Sequence, residues 1–303
     1  MKKFLIIGVG NLGERSIQSI QEEFENADIH ILEKNKAREA FILEKYGVSS
    51  LLEGNPLVNF DFIHVSTTSK DRHNIINSFN FSETSLILIE KPTASNLSQL
   101  MGQSKGEFNG NFFVNLPRRI YPINSFIKDH IRGPFEISLQ YNNLNLFSNI
   151  SHFIDLSRYF GAIGKYRIEA GSLRKIDSAR NGYIDYCGNL KIFFECGTCL
   201  NFLDSTNQKE SIIRIKSKDF IIEYDESIPS LKTLEGLKLV LDFDRTNIAP
   251  YHSEILGKIL RIFEKERDCS LPHLKEVASD NIEIFSFLHN YMGIDQDKDL
   301  LIS

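Results

Sequence analysis

"KKFLIIGVGNLGER", residues 2–15, is the stretch that decides the fold. Phe4 to Ile7 form a short apolar run that reads as a buried strand. Gly8, Gly10 and Gly13 then fall in the spacing G-x-G-x-x-G, and "NLGERSIQSIQEEF" (11–24) continues with helical periodicity. A glycine motif set between a strand and a helix is a dinucleotide fingerprint. Gly8 permits the tight turn, Gly10 lets a pyrophosphate approach the backbone, and Gly13 lets helix and strand pack closely. The helix N-terminus, with Asn11 and Leu12, offers backbone N–H groups and the positive end of the helix dipole. The paired lysines and apolar run superficially resemble a secretory leader. Glycines, Glu14 and Arg15 follow instead of a small-residue cleavage site, so a cytoplasmic protein is expected.

Working outward, strands are expected in "DIHILEK" (28–34), "FDFIHVSTT" (60–68), "SLILIEKP" (85–92) and "NFFVNLP" (111–117). Helical patterns lie between them, in 35–47, 70–80 and 95–105. Such alternation predicts βαβ units and a doubly wound parallel sheet of the Rossmann type. Glu33 ends the second strand, 20 residues after Gly13, where a carboxylate holds the adenosine ribose hydroxyls. That favours NAD, because a carboxylate repels a 2′-phosphate; Lys34, Lys36 and Arg38 leave NADP open.

Ser66, Thr67 and Thr68 end another strand, at the carboxyl edge that lines the ligand crevice in such sheets. Thr68 is followed by Ser69 and Asp71, either of which can cap the next helix. Glu90, Lys91 and Pro92 follow "SLILI", and charges there are expected to have left the core. Pro92 biases Lys91 toward an extended backbone. A cation at that edge favours negative charge developing on the oxygen of a reacting alcohol or carbonyl.

After residue 118 the texture changes. Helices are expected in 122–132 and 150–161, strand-like runs in 135–143, 166–174, 182–205, 210–226 and 237–243, and amphipathic helices in 251–266 and 274–292. This predicts a largely antiparallel sheet and two domains, 1–118 and 119–303. Runs such as "IIRIKSKDFIIEY" carry apolar residues without clear alternation. An apolar open face is therefore expected, covered in a homodimer or homotetramer.

The formal net charge of −5 argues against a general nucleic-acid surface, and no apolar run approaches the length of a membrane helix. Cys196 and Cys199 form a lone C-x-x-C without a second pair, so reduced thiols and no metal are expected.

Several of these elements together resemble the glucose–fructose oxidoreductase/inositol dehydrogenase (Gfo/Idh/MocA) family. They are Gly8 to Gly13, Glu33, "STTSKDRHNII" (66–76), "LIEKPTA" (88–94), "RRIYP" (118–122) and "SHFIDLSRYFG" (151–161). The resemblance implies an N-terminal Rossmann domain and a C-terminal α/β domain with a large open, mostly antiparallel sheet that forms a subunit interface. It implies an NAD(P)-dependent oxidoreductase working between a hydroxyl and a keto carbon of a sugar, sugar nucleotide or related small molecule. By position, Lys91 matches the lysine near nicotinamide and substrate, with Glu90 beside the cofactor. His152 matches the proton-transferring histidine, and Asp155 a structural aspartate. Arg119 and Pro122 match the R-x-x-P element, with Tyr121 beside them at the substrate. One departure stands out: Ser148 occupies a position where the family often has an aspartate. It can hydrogen-bond a sugar but is no carboxylate base. A second reading follows, a catalytically impaired dinucleotide-binding regulator of the same fold.

Overall fold

In a computed structural model the described residues are 2–51, 60–79, 81–108, 110–142, 144–178, 180–205, 211–237 and 244–302. Two compact units emerge. The first comprises residues 1–115, 251–282 and 296–299, and the second comprises 116–250, 283–295 and 300–303. Each unit is thus built from more than one stretch of chain.

The first unit alternates strands and helices. In order they are β1 (Lys2–Ile7), α1 (Asn11–Glu23), β2 (Ala27–Leu32), α2 (Lys36–Tyr46), β3 (Ser49–Ser50), β4 (Phe62–Val65), α3 (Ser69–Ser78), β5 (Leu86–Ile89), α4 (Leu97–Ser104) and β6 (Asn111–Val114). The sheet runs β3-β2-β1-β4-β5-β6, with all pairings parallel. The order reverses at β1, so the crevice beyond the carboxyl ends of β1 and β4 is the natural ligand site. All four residues of β4 and of β5 are buried, as expected of a sheet covered on both faces. Glu90 is buried as well, at 4% exposure. The expectation that the charges after β5 had left the core therefore fails for this residue, for a reason given below.

Helix α8 (His252–Glu266) packs on α1 in this unit. Gly257 makes the close approach possible: its N–H donates to Ser19 Oγ at 2.9 Å, and a Cβ there would lie 2.7 Å from Glu23 Cβ.

The second unit contains α5 (Pro122–His130), β7 (Glu136–Tyr141), α6 (Leu146–Tyr159), β8 (Tyr166–Asp177), β9 (Ile184–Phe194), β10 (Cys199–Asp204), β11 (Ile212–Lys216), β12 (Ile221–Asp225), β13 (Ser230–Glu235) and α7 (Arg245–Ile248). A 3-10 turn at Pro117–Ile120 precedes α5, and α9 (Leu274–Met292) follows α8. The sheet order is β13-β12-β11-β7-β10-β9-β8, antiparallel except for the parallel pair β7–β10. The strand expected at 237–243 lies outside the described residues, apart from Leu237.

Across β7, β11 and β12 the open face is mixed, with charged residues beside Ile212 and Ile221, where the sequence reading expected an apolar one. Register pairs Ile213 with Leu139 and Tyr224, and Ile215 with Ile137 and Ile222. All six side chains are buried on one face. The alternate residues Glu136, Ser138, Arg214, Lys216 and Glu223 occupy the other face. In "IIRIKSKDFIIEY" the turn at Ser217–Phe220 resets the phase between two strands, each of which alternates. Read as one string, the run looked apolar on both sides.

Candidate active site

In the first unit, Gly8 adopts φ 84°, a left-handed conformation that glycine reaches without strain. A Cβ at Gly13 would lie 2.2 Å from Gly8 O and 2.9 Å from Ser66 Oγ, so that position admits only hydrogen. A Cβ at Gly10 would meet nothing within 4 Å. Gly10 is the N-cap of α1, so the open space lies ahead of a helix N-terminus whose first N–H groups lack intrahelical partners. This is a cradle an anionic diphosphate fits.

The loop is braced from two sides. Ser66 Oγ donates to Gly8 O at 2.5 Å, which turns its hydroxyl into the loop. Glu33 Oε2 accepts the Val9 N–H at 2.8 Å, and Oε1 accepts the Asn35 N–H at 2.9 Å. Each carboxylate oxygen retains lone-pair capacity for a further donor. The three cations near Glu33 are engaged. Arg38 donates to Val9 O at 2.7 Å and to Glu14 Oε2 at 2.5 Å, Lys36 pairs with Glu39, and Lys34 pairs with Asp71. Hydrogen bonds from Lys45, and from Tyr46 and Arg38, hold the Glu14 carboxyl at about 2 against the cost of burial.

Thr67 and Thr68 close the edge of β4. A Cβ on Gly8 would meet Thr67 Cγ2 at 2.9 Å, and the buried Thr67 Oγ1 finds no hydrogen-bond partner among the described residues. Thr68 is the N-cap of α3, a place the sequence offered to Ser69 or Asp71; its hydroxyl reaches Asp71 Oδ2 at 3.5 Å. Arg72 was missed by sequence reasoning. It is 2% exposed and donates to both Thr67 O and Pro92 O, tying the end of β4 to the segment after β5. Its only signal was an arginine inside "SKDRHNII", which reads as a solvated helix face.

Lys91 lies beyond β5 and is half-buried, and its bond to Pro92 is cis. Glu90 points inward instead. Its Oε1 accepts His64 Nε2–H at 3.0 Å and Asn115 Nδ2–H at 2.5 Å. Burial alone would push its carboxyl up, but these partners hold it at about 2.

In the second unit, α6 carries Ser148, His152 and Asp155. Ser148 and His152 are four residues apart, hence neighbours on one helix face. Ser148 Oγ donates to Asn145 O at 3.0 Å. The buried Asp185, from β9, accepts the Phe147 and Ser148 N–H groups at 2.8 and 3.0 Å and so caps this helix. Burial raises its pKa. Asp155 takes Arg119 through Nε at 2.9 and 3.0 Å and through Nη2 at 2.6 Å, which turns the guanidinium onto the helix. The neighbouring Arg118 pairs instead with Glu226 at 2.6 Å. Tyr121 precedes α5, and burial pushes its hydroxyl up to about 12.

Among the described residues no cluster of three or more His, Cys, Asp or Glu could hold a metal, and no helix is long and apolar enough to cross a membrane. All four cysteines are free thiols.

The fold and the loop are those of a dinucleotide-binding Rossmann unit. Residues 2–103 match the Gfo/Idh/MocA family model, described as "Oxidoreductase family, NAD-binding Rossmann fold". Solved structures share the fold over nearly the whole chain. The WlbA dehydrogenase from Chromobacterium violaceum, solved with NADH and UDP-GlcNAcA, is 13% identical; it covers 97% of this chain and 94% of its own, with a TM-score of 0.68. A myo-inositol dehydrogenase from Corynebacterium glutamicum is 12% identical, with 97% and 98% covered and a TM-score of 0.68. Biliverdin reductase from Synechocystis, solved with biliverdin and NADP+, is 14% identical, with 95% and 98% covered and a TM-score of 0.61. A search of curated proteins finds no match to the sequence.

Proposed function

We propose that this protein is an NAD(P)-dependent oxidoreductase that interconverts a hydroxyl and a keto carbon on a sugar, sugar nucleotide or related small molecule. The observation that carries the reading is the glycine cradle. Gly10 faces open space at a helix N-terminus, while Glu33 stands at the end of β2 with its carboxylate braced on the same loop. NAD, when bound, supplies the hydride chemistry. Gly8, Gly10, Asn11, Leu12 and Gly13 hold its diphosphate, and Glu33 takes the ribose diol. Engagement of Lys34, Lys36 and Arg38 by carboxylates supports NAD over NADP.

Lys91 steadies the substrate oxygen and favours its partial negative charge. His152 exchanges the hydroxyl proton, since an imidazole titrates near neutral pH. Ser148 and Tyr121 orient the substrate by hydrogen bonding. Arg119 acts beside them in this reading, its guanidinium held by Asp155. Residues 1–115, with 251–282 and 296–299, serve the dinucleotide, and the remaining residues, those of the second unit, serve the substrate and self-association through the C-terminal sheet. With Arg214, Lys216, Glu136 and Glu223 on its open face, that association is electrostatic rather than hydrophobic. Four free thiols suit a reducing, cytoplasmic setting.

Ser148 favours one alternative, a dinucleotide-binding regulator without turnover, because no carboxylate stands at that position of α6. Titration of the protein with NADH by fluorescence, followed by a panel of polyols, sugars and sugar nucleotides read at 340 nm, separates the readings. Binding with turnover supports the enzyme, and binding without turnover across the panel supports the regulator. No binding overturns both.

A further inference from the structure

Inside the first unit lies a polar cluster that the proposed chemistry does not use. Ser16 on α1, His64 on β4, Glu90 after β5 and Asn115 after β6 are each at most 4% exposed. His64 Nδ1 lies 2.8 Å from Ser16 Oγ, and His64 Nε2 lies 3.0 Å from Glu90 Oε1. His252, the first residue of α8, places Nε2 3.3 Å from the same Ser16 oxygen. Hydroxyl, imidazole and carboxylate in that order form the arrangement of an activated nucleophile. Ser16 is 0% exposed, however, so no substrate can reach it.

The protons in this cluster have few places to go. An ionised Glu90 only accepts, so His64 Nε2 must carry a proton. On a neutral ring Nδ1 is then an acceptor, and Ser16 must donate its hydroxyl proton there. Its competing acceptor is Leu12 O at 3.1 Å. The Ser16 oxygen in turn accepts from His252 Nε2–H. Each bond thereby selects the tautomer that the next one needs.

We propose that His64 is a positioning residue for Lys91 and for the glycine loop, acting through Glu90 and Ser16 respectively. The Lys91 arm rests on the role given to Lys91 above. Glu90 is still bound into the sheet, its N–H donating to Val65 O at 3.1 Å. Lys91 follows directly, in the bend after β5, so anchoring Glu90 fixes the backbone from which the Lys91 side chain departs. Ser16 lies one turn beyond Gly13 on α1. The same ring that aims Lys91 therefore also sets the height of the loop's helix.

Two substitutions separate the arms. Glutamine approximates the reach of Nε2 and asparagine that of Nδ1. His64→Gln keeps the donor to Glu90 and releases Ser16, so NADH affinity should fall about fivefold or more while Lys91 is unmoved. His64→Asn keeps Ser16 and releases Glu90, so NADH affinity should stay within about twofold while Lys91 moves. Lys91 is followed in the protein without ligands by reductive 13C-methylation and NMR, its resonance assigned by its loss in Lys91→Arg. That readout does not depend on Lys91 having any catalytic role. In wild-type protein, 15N-histidine NMR at neutral pH should find the His64 proton on Nε2; a proton on Nδ1 alone overturns the proposal, even if neither variant folds. Two folded variants that change neither NADH affinity nor the Lys91 resonance overturn it as well. Wild-type protein that binds no NADH would remove the function proposed above, while the tautomer and the Lys91 shift would still decide this point.

Discussion

Glu33 Oε2 accepts the backbone N–H of Val9 at 2.8 Å, so the carboxylate that ends β2 also holds the glycine loop in place. One side chain therefore shapes the loop and presents charge to whatever occupies it. Glu33→Gln keeps an acceptor for Val9 and removes the charge, so the ratio of NAD to NADP affinity should fall about tenfold with little loss of stability. Glu33→Ala removes both and should weaken both cofactors. Isothermal titration with the two cofactors checks this. An unchanged ratio in Glu33→Gln would assign discrimination to the basic residues of α2.

Gly10 and Gly13 should respond differently to added volume. At Gly10 a side chain enters open space, so Gly10→Val should leave the melting temperature nearly unchanged and reduce NADH affinity a hundredfold or more. At Gly13 a methyl would lie 2.2 Å from Gly8 O, so Gly13→Ala should cost on the order of 2 kcal/mol of stability. Thermal unfolding beside NADH titration separates the two outcomes.

Lys91→Ala and His152→Ala should each lower turnover by roughly a hundredfold, the scale of a lost electrostatic or acid–base group. NADH affinity should change far less. In the proposed mechanism both groups act on one oxygen, so the double variant should lose less than the product of the single effects. Stopped-flow kinetics on the first active substrate from the panel provides the measurement. Near-normal turnover in both single variants would move the chemistry elsewhere.

Stability should fall in two stages on acidification. Burial depresses the His252 pKa from 6.5 to about 4, outweighing the nearby Glu90 carboxylate. The unfolded chain then binds more protons between those values, so stability decreases as pH drops through that window, by about 3 kcal/mol. Glu90 is depressed from 4.5 to about 2, which adds a second loss below pH 4.5. His252→Gln should flatten the upper stage and shrink the lower one, because His252 is one of the groups that hold the Glu90 pKa down. Melting temperatures between pH 7.5 and 3.5 would show it.

The Arg119–Asp155 pair should behave as part of the scaffold. Asp155 is 5% exposed and engages the guanidinium through both oxygens. Asp155→Ala should therefore cost about 3 kcal/mol, because the arginine is left half-buried without its counter-charge. Denaturant unfolding is the test, and a change below about 0.5 kcal/mol would assign the pair to the surface.

Much of the first unit was legible because its signals are local. Gly8 to Gly13, Glu33 and Lys91 sit at strand ends that hydrophobic runs mark out one by one. His64 and Arg72 were not legible. A histidine within "FIHV" and an arginine within "KDRH" gain their meaning only when β4, β5 and α1 converge, at separations of 20 to 48 residues. Asp185 was hidden for the same reason, since its carboxylate caps a helix 37 residues earlier in the chain. The open sheet face was misread because the phase of alternation restarts at each turn, which composition alone does not reveal.

The packing of α8 on α1 has a consequence for how the molecule is made. Ile17 and Ile20 of α1 are 0% exposed in the finished protein. Their unit resumes only at Tyr251, about 135 residues after it breaks off at Asn115. At a synthesis rate of about 5–20 residues per second, roughly 7–30 s pass on the ribosome before that segment emerges. Throughout that interval the nascent dinucleotide-binding unit lacks its closing helix and stays open to chaperones, proteases and other growing chains.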